Sequence, residues 1–317
     1  MAEQVDWSCV DARAGVLSRE HLDAYLQRCG LDAAETLTQP TGLELLNRVV
    51  AGHAVSIPFE MYDVTTRTPV SLALCDIYDK LVVRRRGGYC LESNGLCAAA
   101  LSSLGYAPVM RHARVWLRAT VYTPENPPIA RQHQVLVVQL ADGREYMVDV
   151  GFGGGSPAVA VPLVEREFDA LGERYRMQAG AGDEDTWILW GWRDGTWRRL
   201  FSFEHVSMNC PKVHAADFIM CSHFVQVAAG TLFKTCRYAT RSAAGGGRVT
   251  IMRHELKKVG PLLPGAVAPT IEVTRLETVD ALAAALREHM CIVLTAEEAK
   301  AVWAADATEA APAEDTV

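Results

Sequence analysis

The apolar positions of this chain change their period near residue 106, and that change limits the folds open to it. Before it they recur at helical spacing. Ser18 can cap a segment carrying Leu22, Tyr25, Leu26 and Cys29, and Gly30 stops it. Thr41 with Glu44 forms a capping-box pattern ahead of Leu46, Val49 and Val50. A further segment starts near Cys90, carries Cys97, Ala100, Leu101 and Leu104 on one face and closes at Gly105. After it Val115, Leu117, Ala119 and Val121 alternate with Arg114, Arg118 and Thr120, which predicts a strand with one wet face. Residues 124–128 read as a loop. Residues 134–140 and 145–150 read as strands joined through Asp142-Gly143, and residues 187–197 as a second hairpin around Asp194-Gly195. Residues 218–258 are mixed, with strand-like runs at 224–227 and 249–253 around a turn at 243–247. A last helical pattern covers 278–288, and 304–317, rich in Ala, Glu and Asp, reads as a disordered tail.

Composition narrows the function. With 317 residues and 50% of them apolar, the chain can bury two or three domain cores. Its 31 Lys and Arg against 38 Asp and Glu give a net charge of −7, which argues against a nucleic-acid partner. The first residues lack the charged and apolar regions of a secretory signal, and no apolar run reaches the roughly 20 residues that span a bilayer. The expectation is a cytoplasmic protein with no membrane partner. Nine scattered cysteines imply reduced thiols, and leave the question of whether one of them is a nucleophile.

The sharpest local pattern is Arg86-Gly87-Gly88-Tyr89-Cys90-Leu91-Glu92-Ser93-Asn94. Two glycines let the backbone turn tightly so that Cys90 opens the following helix. There the unpaired N–H groups and the helix dipole favour thiolate, and the same N–H groups can hold an oxyanion. A small buried residue at a helix start is the alternative. A thiol nucleophile needs an imidazole, and the imidazole needs an orienting group. His133 begins the strand that runs into the Asp142-Gly143 hairpin, and Asp149 ends the returning strand before Gly151-Phe152-Gly153-Gly154-Gly155. Alone, His133 could face water at a strand edge, and Asp149 could cap the glycine turn.

A plain two-residue turn at Asp142-Gly143 would put His133 and Asp149 on opposite faces, because side chains alternate along a strand. A three-residue loop, Ala141-Asp142-Gly143, or a bulge elsewhere would restore a shared face. One such irregularity is expected between residues 133 and 149.

Together the Arg86–Asn94 segment, the His133 strand and Asp149-Val150-Gly151-Phe152-Gly153 resemble the arylamine N-acetyltransferases. That family is marked by an Arg-Gly-Gly-aromatic-Cys segment, a strand His and an Asp-Val-Gly-Phe-Gly segment. The similarity includes Asp23-Ala24-Tyr25-Leu26 and His53 with Ile57-Pro58-Phe59-Glu60. The resemblance implies a triad like that of cysteine proteases, formed by Cys90, His133 and Asp149. It also implies an α+β architecture, which agrees with the order of periods: a helical bundle (1–106), an antiparallel β-barrel (107–205) and an α/β lid (206–303). Phe59, Val115 and Phe152 would line a pocket for an aromatic amine or hydrazine, and Glu60 with Arg86 would form a structural brace. The chemistry implied is ping-pong acyl transfer from acetyl-CoA or another acyl-CoA, used as co-substrate, with no tightly bound cofactor.

The chain departs from the family pattern in two places. Met61 stands where the family has Asn after Pro-Phe-Glu. A Ser/Thr-rich stretch that contacts coenzyme A in the family is replaced at 213–217 by Val-His-Ala-Ala-Asp. Donor contacts are then expected from Gly153, Gly154 and Lys212. An amide synthase of the same fold that uses a carrier-bound or larger thioester, and a thiol hydrolase, are the rival readings. Cys210, His214, Cys221 and His223 are metal-type side chains close in sequence, but they lack zinc-site spacing, and no metal is expected. The glycine run Gly151–Gly155 is followed by Ser156-Pro157 rather than Gly-Lys-Ser/Thr, which excludes a nucleotide phosphate loop. Oligomeric state is left open.

Overall fold

The structure is a computed structural model and describes residues 15–116, 130–181, 186–193, 195–209, 213–227, 234, 236–263, 266 and 268–305. From residue 15 to 106 the chain forms helices α1 (Arg19–Arg28), α2 (Ala33–Thr36), α3 (Leu43–Ser56), α4 (Tyr62–Thr65), α5 (Leu74–Tyr78) and α6 (Cys90–Ser103), with a short strand β1 (Phe59–Glu60). Ser18 caps α1 as expected, its Oγ accepting from His21 N at 3.2 Å. The capping box at Thr41 does not form. Gly42 is the N-cap of α3, and the Thr41 hydroxyl donates instead to Leu104 O at 3.3 Å, an acceptor freed by the end of α6.

Eight strands make one antiparallel sheet: β2 (Val109–Val115), β3 (His133–Gln139), β4 (Glu145–Val148), β5 (Val161–Pro162), β6 (Arg166–Ala170), β7 (Glu173–Ala179), β8 (Trp187–Arg193) and β9 (Thr196–Phe203). Their spatial order is β5-β4-β3-β2-β9-β8-β7-β6. The strand expected from residue 114 onward begins earlier, at Val109, and its expected continuation through Leu117, Ala119 and Val121, like the loop at 124–128, lies outside the described residues. The antiparallel β-barrel expected is present as a curled half-barrel. Among the described residues β5 and β6 are not paired with one another. β5 is two residues long and ends in Pro162, which has no N–H to give, and the charged side chains of β6 stay in water.

The chain then forms α7 (Ala215–Val227), β10 (Tyr238–Ser242), β11 (Arg248–Met252), β12 (Glu255–Val259), β13 (Ile271–Arg275), α8 (Val279–Met290) and α9 (Ala296–Ala305). The strand-like run at 224–227 is the last turn of α7. A run of four residues with three apolar side chains fits either period, and here Val225 is buried while Phe224 is exposed. Helix α9 was not expected, and it takes in Ala304 and Ala305; the rest of the expected tail lies outside the described residues. β1 is the edge strand of the second sheet, ordered β1-β10-β11-β12-β13, with Phe59 opposite Thr240. No helix among the described residues is long and apolar enough to cross a membrane.

β3 positions the site. Val135 and Val137 pack into the core of the half-barrel, while Leu136 and Val138 pack against the helices. All of β3 except Gln139 is therefore buried, and its first residue, His133, is held between two cores.

Candidate active site

Cys90 is the first residue of α6, and Tyr89 is its extended N-cap. Glu92, three residues on from the cap, accepts from Tyr89 N at 3.1 Å, which fixes the helix start. The two preceding glycines serve close approach rather than a left-handed turn. A Cβ on Gly87 would lie 2.3 Å from Pro58 O, and one on Gly88 would lie 2.9 Å from Glu92 Cβ. The left-handed residue of this segment is Arg85, at φ 52°. The Cys90 thiol is 6% exposed and directs its weak S–H donor at Gln132 O, 3.7 Å away. Elsewhere in the bundle, burial pushes the Cys29 thiol up to about 12 and the Cys97 thiol higher still, which keeps both protonated.

The hairpin carries the expected irregularity. Leu136 faces Val148 and Gln139 faces Glu145. Leu140 N donates to Arg144 O at 2.9 Å, so the loop is the three residues Ala141-Asp142-Gly143, with Gly143 at φ 81°. The extra residue returns Asp149 to the face of His133, and His133 Nε2 donates to Asp149 Oδ2 at 2.8 Å. Nδ1 is left for the Cys90 thiol. Burial alone would lower the imidazole pKa, but the Asp149 charge, and after it Cys90, lift it to about 10, so the ring is an imidazolium at neutral pH.

Asn94, a residue to which the sequence reading gave no role, holds the carboxylate. Its Nδ2 donates to Asp149 Oδ1 at 2.9 Å and to Gln134 O at 2.6 Å, and its Oδ1 accepts from Val150 N at 3.0 Å. Gly151 N adds a third donor to Asp149, at 2.8 Å. The available signal was spacing: Asn94 lies one helical turn beyond Cys90, on the same face of α6. Gly151 comes so close to the start of α6 that a Cβ there would sit 2.6 Å from Cys90 Cα.

Of the expected pocket residues, Phe59 is buried in the apolar cluster around Cys90, with Tyr238 edge-on at 5.8 Å. Phe152 stands edge-on to the His133 ring at 5.4 Å and packs on Phe201, which faces Val115 across the β2–β9 ladder. Phe218 and Val225 of α7 cover the cluster, and Tyr89 Oη donates to Ser222 Oγ at 2.6 Å. Gly153 and Gly154 are buried in a short 3-10 turn, where Cβ atoms would meet Thr240 at 2.4 and 2.5 Å. Their lack of a side chain thus serves packing on β10. Lys212 and Cys210 lie outside the described residues. Among the described residues no three His, Cys, Asp or Glu side chains lie close enough to hold a metal.

Glu60 and Arg86 form the expected brace, at 2.9 Å from Nε and 2.7 Å from Nη2. It is part of a larger buried network. Arg86 also reaches Asp63 at 2.9 Å and Glu298 of α9 at 3.2 Å, and Lys80 joins Asp63 at 2.6 Å to Glu92 at 2.9 Å. Burial raises the Glu92 pKa, and the Lys80 charge opposes it. The network therefore ends on the residue that caps the helix of Cys90.

The sequence profile of a family described as N-acetyltransferase matches residues 42–299. The arylamine N-acetyltransferase of Mycolicibacterium smegmatis is 39% identical over 57% of this chain and 64% of its own length, so the match spans a little under two thirds of that relative. The structure of the arylamine N-acetyltransferase from Mycobacterium abscessus superposes with a TM-score of 0.76, at 26% identity over 91% of this chain and 95% of that one. That of Mycobacterium marinum arylamine N-acetyltransferase in complex with CoA also gives 0.76, at 29% identity over 90% and 98%. By the profile over most of its length, and by the fold, this chain belongs to the arylamine N-acetyltransferase family.

Proposed function

We propose that this protein transfers an acyl group from acetyl-CoA to aromatic amines or hydrazines through a thioester on Cys90. The observation that carries the reading is the pairing of a helix-start thiol with a buried imidazole whose far nitrogen is 2.8 Å from a carboxylate. An imidazolium beside the thiol favours thiolate, the attacking form. Cys90 Sγ attacks the thioester carbonyl, and the N–H groups at the start of α6 receive the developing oxyanion. His133 returns its proton to the departing coenzyme A thiolate. In the second half the amine attacks the acyl-enzyme, His133 takes the proton that the amine loses, and Asp149 stabilises the imidazolium so formed. Phe59, Val115 and Phe152 supply the apolar wall for the acceptor ring. Donor contacts fall to the turn at Gly153 and Gly154 and to Lys212, because 213–217 offers no hydroxyl.

That same absence supports a second reading, an amide synthase fed by a carrier-bound thioester. Steady-state kinetics with one aromatic amine and acetyl-, propionyl- and malonyl-CoA in turn separate the two. Parallel double-reciprocal lines with a free CoA thioester are expected. Turnover only with a carrier-bound donor would replace the first reading with the second.

A further inference from the structure

A second thiol, Cys221, packs on the apolar cluster that contains Cys90 and has an imidazole of its own, His112, and acyl transfer uses neither. Across the β2–β3 ladder Ala113 faces His133 and His112 faces Gln134, so the His112 and His133 side chains leave the sheet on opposite faces. His112 packs on Phe218 of α7 at 4.3 Å, and its Nδ1 is 3.7 Å from Cys221 Sγ. Cys221 donates to Arg131 O at 3.2 Å, while Cys90 points at the next carbonyl along, Gln132 O. The two thiols thus contact adjacent carbonyls of one segment. Their sequence neighbours, Tyr89 and Ser222, are hydrogen-bonded, and Cys221 packs on the apolar cluster that contains Cys90. Burial, and after it the Cys90 and Asp217 charges, raise the Cys221 pKa; burial lowers that of His112. At neutral pH Cys221 is a protonated thiol beside a neutral base.

We propose that Cys221 is a resolving thiol that captures Cys90 as a disulfide after a hydroperoxide has oxidised it. In the first step the Cys90 thiolate attacks a peroxide oxygen. The O–O bond breaks, an S–O bond forms, and the leaving oxygen takes the His133 proton and departs as water when the oxidant is hydrogen peroxide. Cys90 is then a sulfenic acid. In the second step Cys221 gives its proton to His112 and its sulfur attacks the Cys90 sulfur. The S–S bond forms as the S–O bond breaks, and the leaving hydroxide takes the proton from His112 as water. Two thiols lose two electrons and one peroxide gains them. Capture at this stage stops the irreversible step to sulfinic acid.

The test is a non-reducing peptide map after one equivalent of hydrogen peroxide. The expected product is a Cys90–Cys221 linked peptide weighing two hydrogens less than its parts, with alkylation of Cys90 restored by dithiothreitol. In Cys221→Ala, Cys90 sulfinic acid should rise about tenfold and resist dithiothreitol. Sulfinic acid at Cys90 of the wild type without the linked peptide, linkage of Cys90 to a different cysteine, or no oxidation of Cys90 would each overturn the proposal. The wild-type map decides this even if the variant does not fold. Because the readout is mass, it is independent of whether the acyl-transfer reading survives.

Discussion

Asp149 accepts from His133, Asn94 and Gly151 at once, and of these donors Asn94, which also bonds Gln134 O and Val150 N, can be truncated without touching the imidazole. A lost hydrogen bond to a charged group costs about 1.5–3 kcal/mol. Asn94→Ala should therefore slow acylation of Cys90 by about tenfold to a hundredfold. Pre-steady-state mass spectrometry would read the rate, and an unchanged rate would show that the other two donors suffice. His133 gives a second test, through pH. Its pKa in the folded chain, about 10, lies above the ordinary value for an unfolded chain. The folded state thus binds the proton more tightly, and the stability this contributes is full below about pH 6.5 and lost as pH rises through about 10. Urea unfolding at roughly pH 6, 8 and 10 should show a steeper fall for wild type than for Asp149→Asn, which lacks the charge that raises the imidazole. Equal slopes would contradict the coupling.

The β3–β4 hairpin decides whether His133 and Asp149 can meet. Gly143, at φ 81°, closes its three-residue loop, and a Cβ there meets nothing within 4 Å. Gly143→Ala should thus cost only the left-handed backbone strain, about 1–2 kcal/mol by urea denaturation, while preserving acylation once the chain is folded. If acylation were lost in the folded variant, the loop would be holding the pair by something other than register. This hairpin was legible in the sequence because alternation and the need for a shared face leave few loop lengths. The start of α6 was legible for a similar reason, with glycines, Cys90 and Glu92 in a fixed order. Other features were not. The run at 224–227 is too short for its period to separate strand from helix, and Thr41 was drawn from its cap by Leu104, an acceptor 63 residues away. Asn94 was visible only as a spacing, since its value depends on where β4 brings Asp149. The open edge of the half-barrel reflects the absence, among the described residues, of pairing between β5 and β6, which no local pattern reports.

In the whole molecule, distant segments converge behind Cys90. β1 leaves the helices to join the C-terminal sheet, and Arg86 ties Glu60 of β1 to Asp63 of α4 and Glu298 of α9. Neutralising Glu60 breaks the most buried of these pairs and leaves Arg86 with Asp63 and Glu298 alone, and breaking a buried pair typically costs about 3–5 kcal/mol. Glu60→Gln should lower stability by that order in urea denaturation and loosen the α6 cap; a change within about 0.5 kcal/mol would show the brace to be dispensable. The network, the three-residue loop and the approach of Gly151 all act on one sulfur. The most direct measurement is peptide-level mass spectrometry of the protein mixed with acetyl-CoA, before and after an aromatic amine is added. The expected result is one acetyl group on Cys90 that appears without amine, vanishes on its addition and is recovered on the amine nitrogen. Acetyl-amine formed with no label on Cys90, or by Cys90→Ala at an undiminished rate, would contradict it.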